Sequence, residues 1–245
     1  RTCSHGRLLF LGVESIILRR LARARYGGGD VLHATEDRPL SMGQHVSTPT
    51  GVVKLTSQFN LPLTITHGGG ARREVVDQAR YFGVKRVLLV TDEGMVQLGV
   101  SKEITHLLSK GGIDVVVFDQ VQPDPTDENV LDGLALLKER KCEAIVALGG
   151  GSSIDTAKVI SILTANPQPM RQYMGYHKIP SPGLPLLAIP TTAGTGSEVT
   201  KAAVITDTAN DVKMMMFSAH LVPTVALVDF ELTITMPKAL TAAVG

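Results

Sequence analysis

Cysteine is scarce in this sequence: Cys3 and Cys142 are the only two in 245 residues. Two thiols cannot build a disulfide framework, and their scarcity fits a reducing compartment. No apolar run reaches the ~18 residues of a membrane-crossing helix, so no membrane partner is expected. Neither charge sign is in excess, with 24 Lys and Arg against 23 Asp and Glu, and a nucleic-acid footprint is lacking. The GxGxxG fingerprint and the P-loop are both missing. Gly151-Ser-Ser-Ile-Asp155 puts an acid where a hydrolase elbow needs glycine. His67, His106, His177 and His220 stand alone, without a second His or carboxylate at ligand spacing on a shared helix face.

The balanced total conceals one asymmetry. Residues 1–29 hold six arginines and one acid, Glu14, a net of +5 against +1 for the whole chain, which leaves −4 for the rest. An arginine-rich, acid-poor stretch of this kind resembles an organellar transit peptide. The plainer reading is a disordered or non-native leader over 1–45, with Met42 as a candidate start. The location expected is cytoplasmic, with mitochondrial as the alternative if the leader is genuine.

Hydrophobic content of 44% and 24 glycines fit an α/β protein with a sizeable core. From Leu61 onward, strand and helix signals alternate. Strands are expected at 62–66, 87–90, 115–118 and 144–148, with helices at 72–82, from Ser101, from Thr126 and at 153–163. The runs Val87–Val90 and Ala144–Leu148 are continuously apolar, as strands buried on both faces require. That order predicts a mostly parallel sheet flanked by helices. Further strands are expected at 184–189, 203–206, 213–217 and 225–228, with a polar turn at 207–211. A helix is expected to open near Pro237, whose ring suits a first helical turn.

Two loops carry the chemistry. Gly149, Gly150 and Gly151 follow a buried strand and open a helix, so backbone amides can approach a pyrophosphate. Three consecutive glycines cost chain entropy and call for a reason. Thr191, Thr192, Thr195 and Ser197 offer four hydroxyls around Gly194 and Gly196, able to hold a ribose, an amide or a phosphate, or to satisfy their own turn. Asp92, at the tip of a strand, can accept hydrogen bonds from an adenosine ribose and repel the extra phosphate of NADP. Asp155 and Lys158 share one helix face beside the glycines, either as an ordinary surface pair or as ligands.

Taken together, these motifs resemble the iron-dependent (group III) alcohol dehydrogenases. The matching segments are Val90-Thr-Asp92, Pro123-Asp-Pro-Thr126, Gly149 to Lys158, Ile189 to Thr200, and Pro223 to Asp229. The resemblance runs from about Leu61 to Gly245 and implies a dehydroquinate-synthase-like NAD-binding α/β domain over 46–236. An all-helical metal-binding domain would begin at 237–245. By that match Asp92 would favour NAD, while Gly149, Gly150, Gly151 and Ser152 would bind pyrophosphate. Asp155, Thr191, Thr192, Thr195, Thr200 and Lys213 would line the rest of the cleft. The family passes a hydride between NAD and an alcohol or aldehyde whose oxygen sits on a divalent metal, usually Fe²⁺, acting as a Lewis acid.

The family's metal ligands, an Asp and three His, would lie beyond Gly245. No catalytic residue and no metal ligand is therefore assigned here, and these residues alone are expected to be inactive. The intact protein is expected to act on a small alcohol or aldehyde as a homodimer or larger homo-oligomer. Two rivals stand beside this reading. One is a dehydroquinate-synthase or glycerol-dehydrogenase relative, against which Ala193-Gly-Thr-Gly-Ser-Glu198 argues. The other is a non-catalytic nucleotide-binding module.

Overall fold

A computed structural model describes residues 60–234 and Ala242. The expected leader and the expected helix at Pro237 lie outside the described residues.

The main sheet has six strands: β1 (Thr64–His67), β2 (Arg86–Val90), β3 (Asp114–Phe118), β4 (Ala144–Gly149), β6 (Leu186–Pro190) and β9 (Val225–Val228). Their order is β1-β9-β6-β4-β2-β3, and every pairing is parallel. β4 and β6 lie inside this order and are buried at every residue. Their unbroken apolar runs reflect burial on both faces.

Alternate residues of β2 and β4 feed two cores. Leu88, Val90, Ile145 and Ala147 face α4 (Asp127–Glu139) and α5 (Gly151–Leu163) through Val130, Leu134, Ile154 and Ile160. Val87, Leu89, Val146 and Leu148 face α1 (Val75–Tyr81) and α3 (Val100–Lys110) through Val75, Ala79, Ile104 and Leu108. Period-two side-chain alternation explains the division.

A smaller sheet, β5-β8-β7, joins β5 (Gly175–Tyr176), β7 (Ala202–Asp207) and β8 (Val212–Phe217). β7 and β8 form an antiparallel hairpin. Within the Met214–Met216 run, Met214 and Met216 are buried while Met215 points outward.

Most expected elements recur with ends moved by one to three residues. Thr126 does cap α4, and its capping box is completed by Asn129. Two local expectations are corrected. Arg72 does not start a continuous helix, since Ala71–Glu74 is a 3-10 turn before α1. Ser101 is no cap: it is buried in α3, whose N-cap is Gly99 at φ 78°. The short helix α2 (Glu93–Gln97) and strand β5 carry no expectation in the sequence.

Candidate cofactor-binding site

In a parallel sheet all loops that follow strands emerge at one end. Asp92 follows β2, Gly149–Gly151 close β4 and open α5, Thr191 follows β6, and Asp229 follows β9. The chain leaves β2 toward one face, through α3, and leaves β4 toward the other, through α5. A crevice opens where successive crossovers diverge, which is where ligands of open α/β sheets sit.

The glycine turn forms the floor of this crevice. Gly149 has φ 143°, a backbone state that side chains rarely adopt. A Cβ there would lie 2.5 Å from Ser153 Oγ and 2.9 Å from Asp92 Oδ2. Gly150 is the N-cap of α5 and provides no side-chain oxygen, so no cap from that residue covers the first amides of the 13-residue helix. Positions 150 and 151 face the threonine loop: a Cβ on Gly150 would meet Thr192 at 3.3 Å, and one on Gly151 would meet Thr195 and Ser197 at 3.3 Å. The Thr191 amide donates to Gly149 O at 3.0 Å, tying the two loops at their roots.

Asp92 sits at the other edge. Its Oδ1 accepts from the Met95 amide at 3.1 Å and caps α2, and its Oδ2 accepts from Ser153 Oγ at 3.2 Å. The carboxylate is thus fixed in direction while still partly exposed. Thr192 Oγ1 is buried without a hydrogen-bond partner. Buried polar atoms usually find partners, and of the five such atoms left without one among the described residues this is the one that faces Gly150 across the crevice. An uncapped helix start, a side-chain-free floor and an orphaned hydroxyl fit a phosphate-bearing ligand such as NAD.

Other expected site residues are placed differently from these. Ser152 Oγ donates to Pro123 O at 2.6 Å, leaving its backbone amide for a ligand. Lys213 is exposed and pairs with Asp124 at 2.9 Å, one residue from Pro123. Asp155 lies deeper, where Oδ2 accepts from the Val204 amide at 3.1 Å. Thr200 turns its carbonyl toward Lys158 at 3.1 Å.

The Asp155–Lys158 pair is not a surface pair. Lys158 is only 1% exposed, and its Nζ lies 3.6 Å from Asp155 Oδ1. Burial pushes the amine down to about 8, partly offset by Asp155. Burial likewise pushes the Asp155 and Glu198 carboxyls up. The sequence does carry a sign of this: α5 is apolar nearly all round, and a charge on such a helix must be paired inside.

A second charged cluster has no expected role in the sequence. Asp229, 1% exposed, accepts from Arg72 Nη1 at 2.6 Å and from the Gly70, Arg72 and Glu231 amides. Arg72 also meets Glu103 at 2.9 Å and Glu231 at 2.8 Å. Among the described residues, no three His, Cys, Asp or Glu side chains gather to hold a metal ion, and no helix is long and apolar enough to cross a membrane.

The family model for iron-containing alcohol dehydrogenase matches residues 62–230. An NAD-dependent methanol dehydrogenase of Bacillus methanolicus is 42% identical over 189 residues, which are 77% of this chain and 50% of the relative. A 1,3-propanediol dehydrogenase of Klebsiella pneumoniae is 41% identical over 180 residues, 73% of this chain and 46% of the relative. A crystal structure of 1,3-propanediol oxidoreductase superposes with a TM-score of 0.76 at 38% identity, covering 78% of this chain and 50% of that one. Sulfoacetaldehyde reductase from Bifidobacterium kashiwanohense, solved in complex with NAD+, superposes with a TM-score of 0.72 at 32% identity, over 78% of this chain and 50% of that one. This chain spans about half the length of these relatives. With more than half of its residues matched by the family model, the chain belongs to the iron-containing alcohol dehydrogenase family.

Proposed function

We propose that this chain is the NAD-binding portion of an alcohol dehydrogenase that interconverts a small alcohol and its aldehyde. The observation that carries the reading is the convergence of Asp92, the Gly149–Gly151 turn and Thr192 on one crevice. The NAD-dependent methanol dehydrogenase named above supports the cofactor's identity. Bound NAD supplies the hydride acceptor for alcohol oxidation, and NADH the donor for the reverse reaction.

The residues of this chain bind and orient. Amides of Gly150, Gly151 and Ser152 hold the pyrophosphate at the positive end of α5. Asp92 accepts from the adenosine ribose, and its negative charge disfavours the added phosphate of NADP. Thr191, Thr192, Thr195 and Thr200 line the facing wall, with Asp155 beneath it and Lys213 at its rim. Alcohol turnover is proposed for the protein at the length of its relatives, whereas these residues by themselves bind NAD without reducing it.

Titration calorimetry of the chain with NAD and NADP tests the reading. Saturable NAD binding, about tenfold or more tighter than NADP, is expected from one charge-assisted hydrogen bond. Failure to bind NAD would overturn the proposal. NAD binding that persists with no alcohol-dependent reduction in a protein of the relatives' length would favour a non-catalytic nucleotide module.

A further inference from the structure

Lys158 is the largest charged side chain fully buried among the described residues. Its contacts all point to one segment. Nζ donates to Ala202 O at 2.8 Å and to Thr200 O at 3.1 Å, with Thr200 Oγ1 at 3.4 Å. Asp155, one turn earlier on α5, approaches Nζ with Oδ1 and receives the Val204 amide on Oδ2. Two adjacent side chains of α5 therefore grip the chain at 200, 202 and 204. That is where the threonine loop runs into β7. The first turn of the same helix forms the glycine floor, so α5 connects both walls of the crevice.

We infer that Lys158, acting with Asp155, is a positioning residue that clamps the exit of the threonine loop to α5 and so sets the width of the cofactor crevice. The inference rests on the proposed NAD reading. An aliphatic residue could fill the same volume at lower desolvation cost, since a buried ion pair seldom stabilises more than a packed apolar pair. What the ammonium adds is directed bonding to two backbone carbonyls, Thr200 O and Ala202 O. Glu198 packs nearby with Oε2 buried and unpartnered, so Lys158 is also the cation facing two half-buried carboxyls, Asp155 and Glu198. A cavity of about 140 Å³ beside it is lined in part by Ser161, Gly183 and His220.

The test compares the unaltered chain with Lys158→Met, which keeps length and apolar stem but removes the donors. Hydrogen exchange without ligand is read over residues 197–204, with β2 and β4 as internal references. Titration with NAD is read on the same samples, and circular dichroism checks the fold. The clamp predicts exchange several-fold faster over 197–204 alone, and NAD binding weakened about tenfold or more. Lys158→Arg, which keeps donors, should recover part of the affinity. Unchanged exchange in the methionine variant would overturn the clamp. Faster exchange with unchanged NAD affinity would overturn its role in the crevice while leaving the NAD reading intact. Absence of NAD binding by the unaltered chain would overturn that reading, and this role with it.

Should Lys158→Met fail to fold, Asp155→Asn is the second variant. It spares the lysine's two carbonyl bonds, retains an acceptor for the Val204 amide and removes the charge that the ammonium faces. The clamp then predicts a smaller rise in exchange over the same residues, and no rise would overturn it.

Discussion

Arg72 Nη1 stands 2.6 Å from Asp229 Oδ2 although 157 positions separate the two residues. The contact joins the turn after β1 to the end of β9, its sheet neighbour. Burial raises the Asp229 carboxyl, but Arg72 and three backbone amides more than offset it and hold it below the ordinary carboxylate range. Its contribution to stability is therefore full above the unfolded-state value near 3.8 and is lost as pH falls below it. Asp229→Ala should cost about 3 kcal/mol, because the Gly70, Arg72 and Glu231 amides lose their buried acceptor while Arg72 keeps Glu103 and Glu231. Urea unfolding at neutral pH measures that loss, and repeating it in acid should show the gap between variant and parent closing.

Asp92→Gly should weaken NAD binding about tenfold and abolish discrimination against NADP. Loss of the α2 cap does not confuse the result, since glycine in place of a cap residue costs only about 0.3 kcal/mol. Equal NAD affinity and unaltered NAD-over-NADP preference in the variant would remove Asp92 from the ribose.

Gly149→Ala should destabilise the chain by about 2 kcal/mol through its backbone angle alone, with added crowding against Ser153 and Asp92. Gly150→Ala meets only Thr192, at 3.3 Å, and should fold well while binding NAD less tightly. Melting temperatures and NAD titrations of the pair separate support of the turn from access to it.

A protonated Lys158 has three N–H donors, and a neutral amine has two. Its folded-state value near 8 means that the full set of contacts is present below about pH 8 and loses one donor above it. NAD affinity should fall several-fold from about pH 7 to about pH 9.5. Asp155, Glu198 and, across the small cavity, His220 remain in Lys158→Met. The difference between the two profiles belongs to the lysine.

Much of this was legible in the sequence because it is local. The continuous runs Val87–Val90 and Ala144–Leu148, the Thr126 cap and the three glycines all act within a few residues. The order of elements also gives the parallel sheet, and hence a shared end for Asp92, Gly149 and Thr191. What escaped was set by distance or by context. Arg72 and Asp229 are ordinary charges until β1 and β9 become neighbours. Lys158 looks like half of a surface pair until Thr200 and Ala202 close over it. Ser101 has the chemistry of a cap, but Gly99 takes the left-handed turn that starts the helix two residues earlier. The five residues of α2 hold too short an apolar stripe to signal a helix.

All six main strands point the same way, which leaves their amino ends as a separate working surface. The short entries at Gly83–Lys85, Gly112–Ile113 and Lys141–Glu143 lie there, a strand's length away from the glycine turn. Lys141 is exposed and already holds φ 54°. A dye, a tether or a grafted peptide fixed at that end would report on or immobilise the protein from behind, with the crevice left open to solvent.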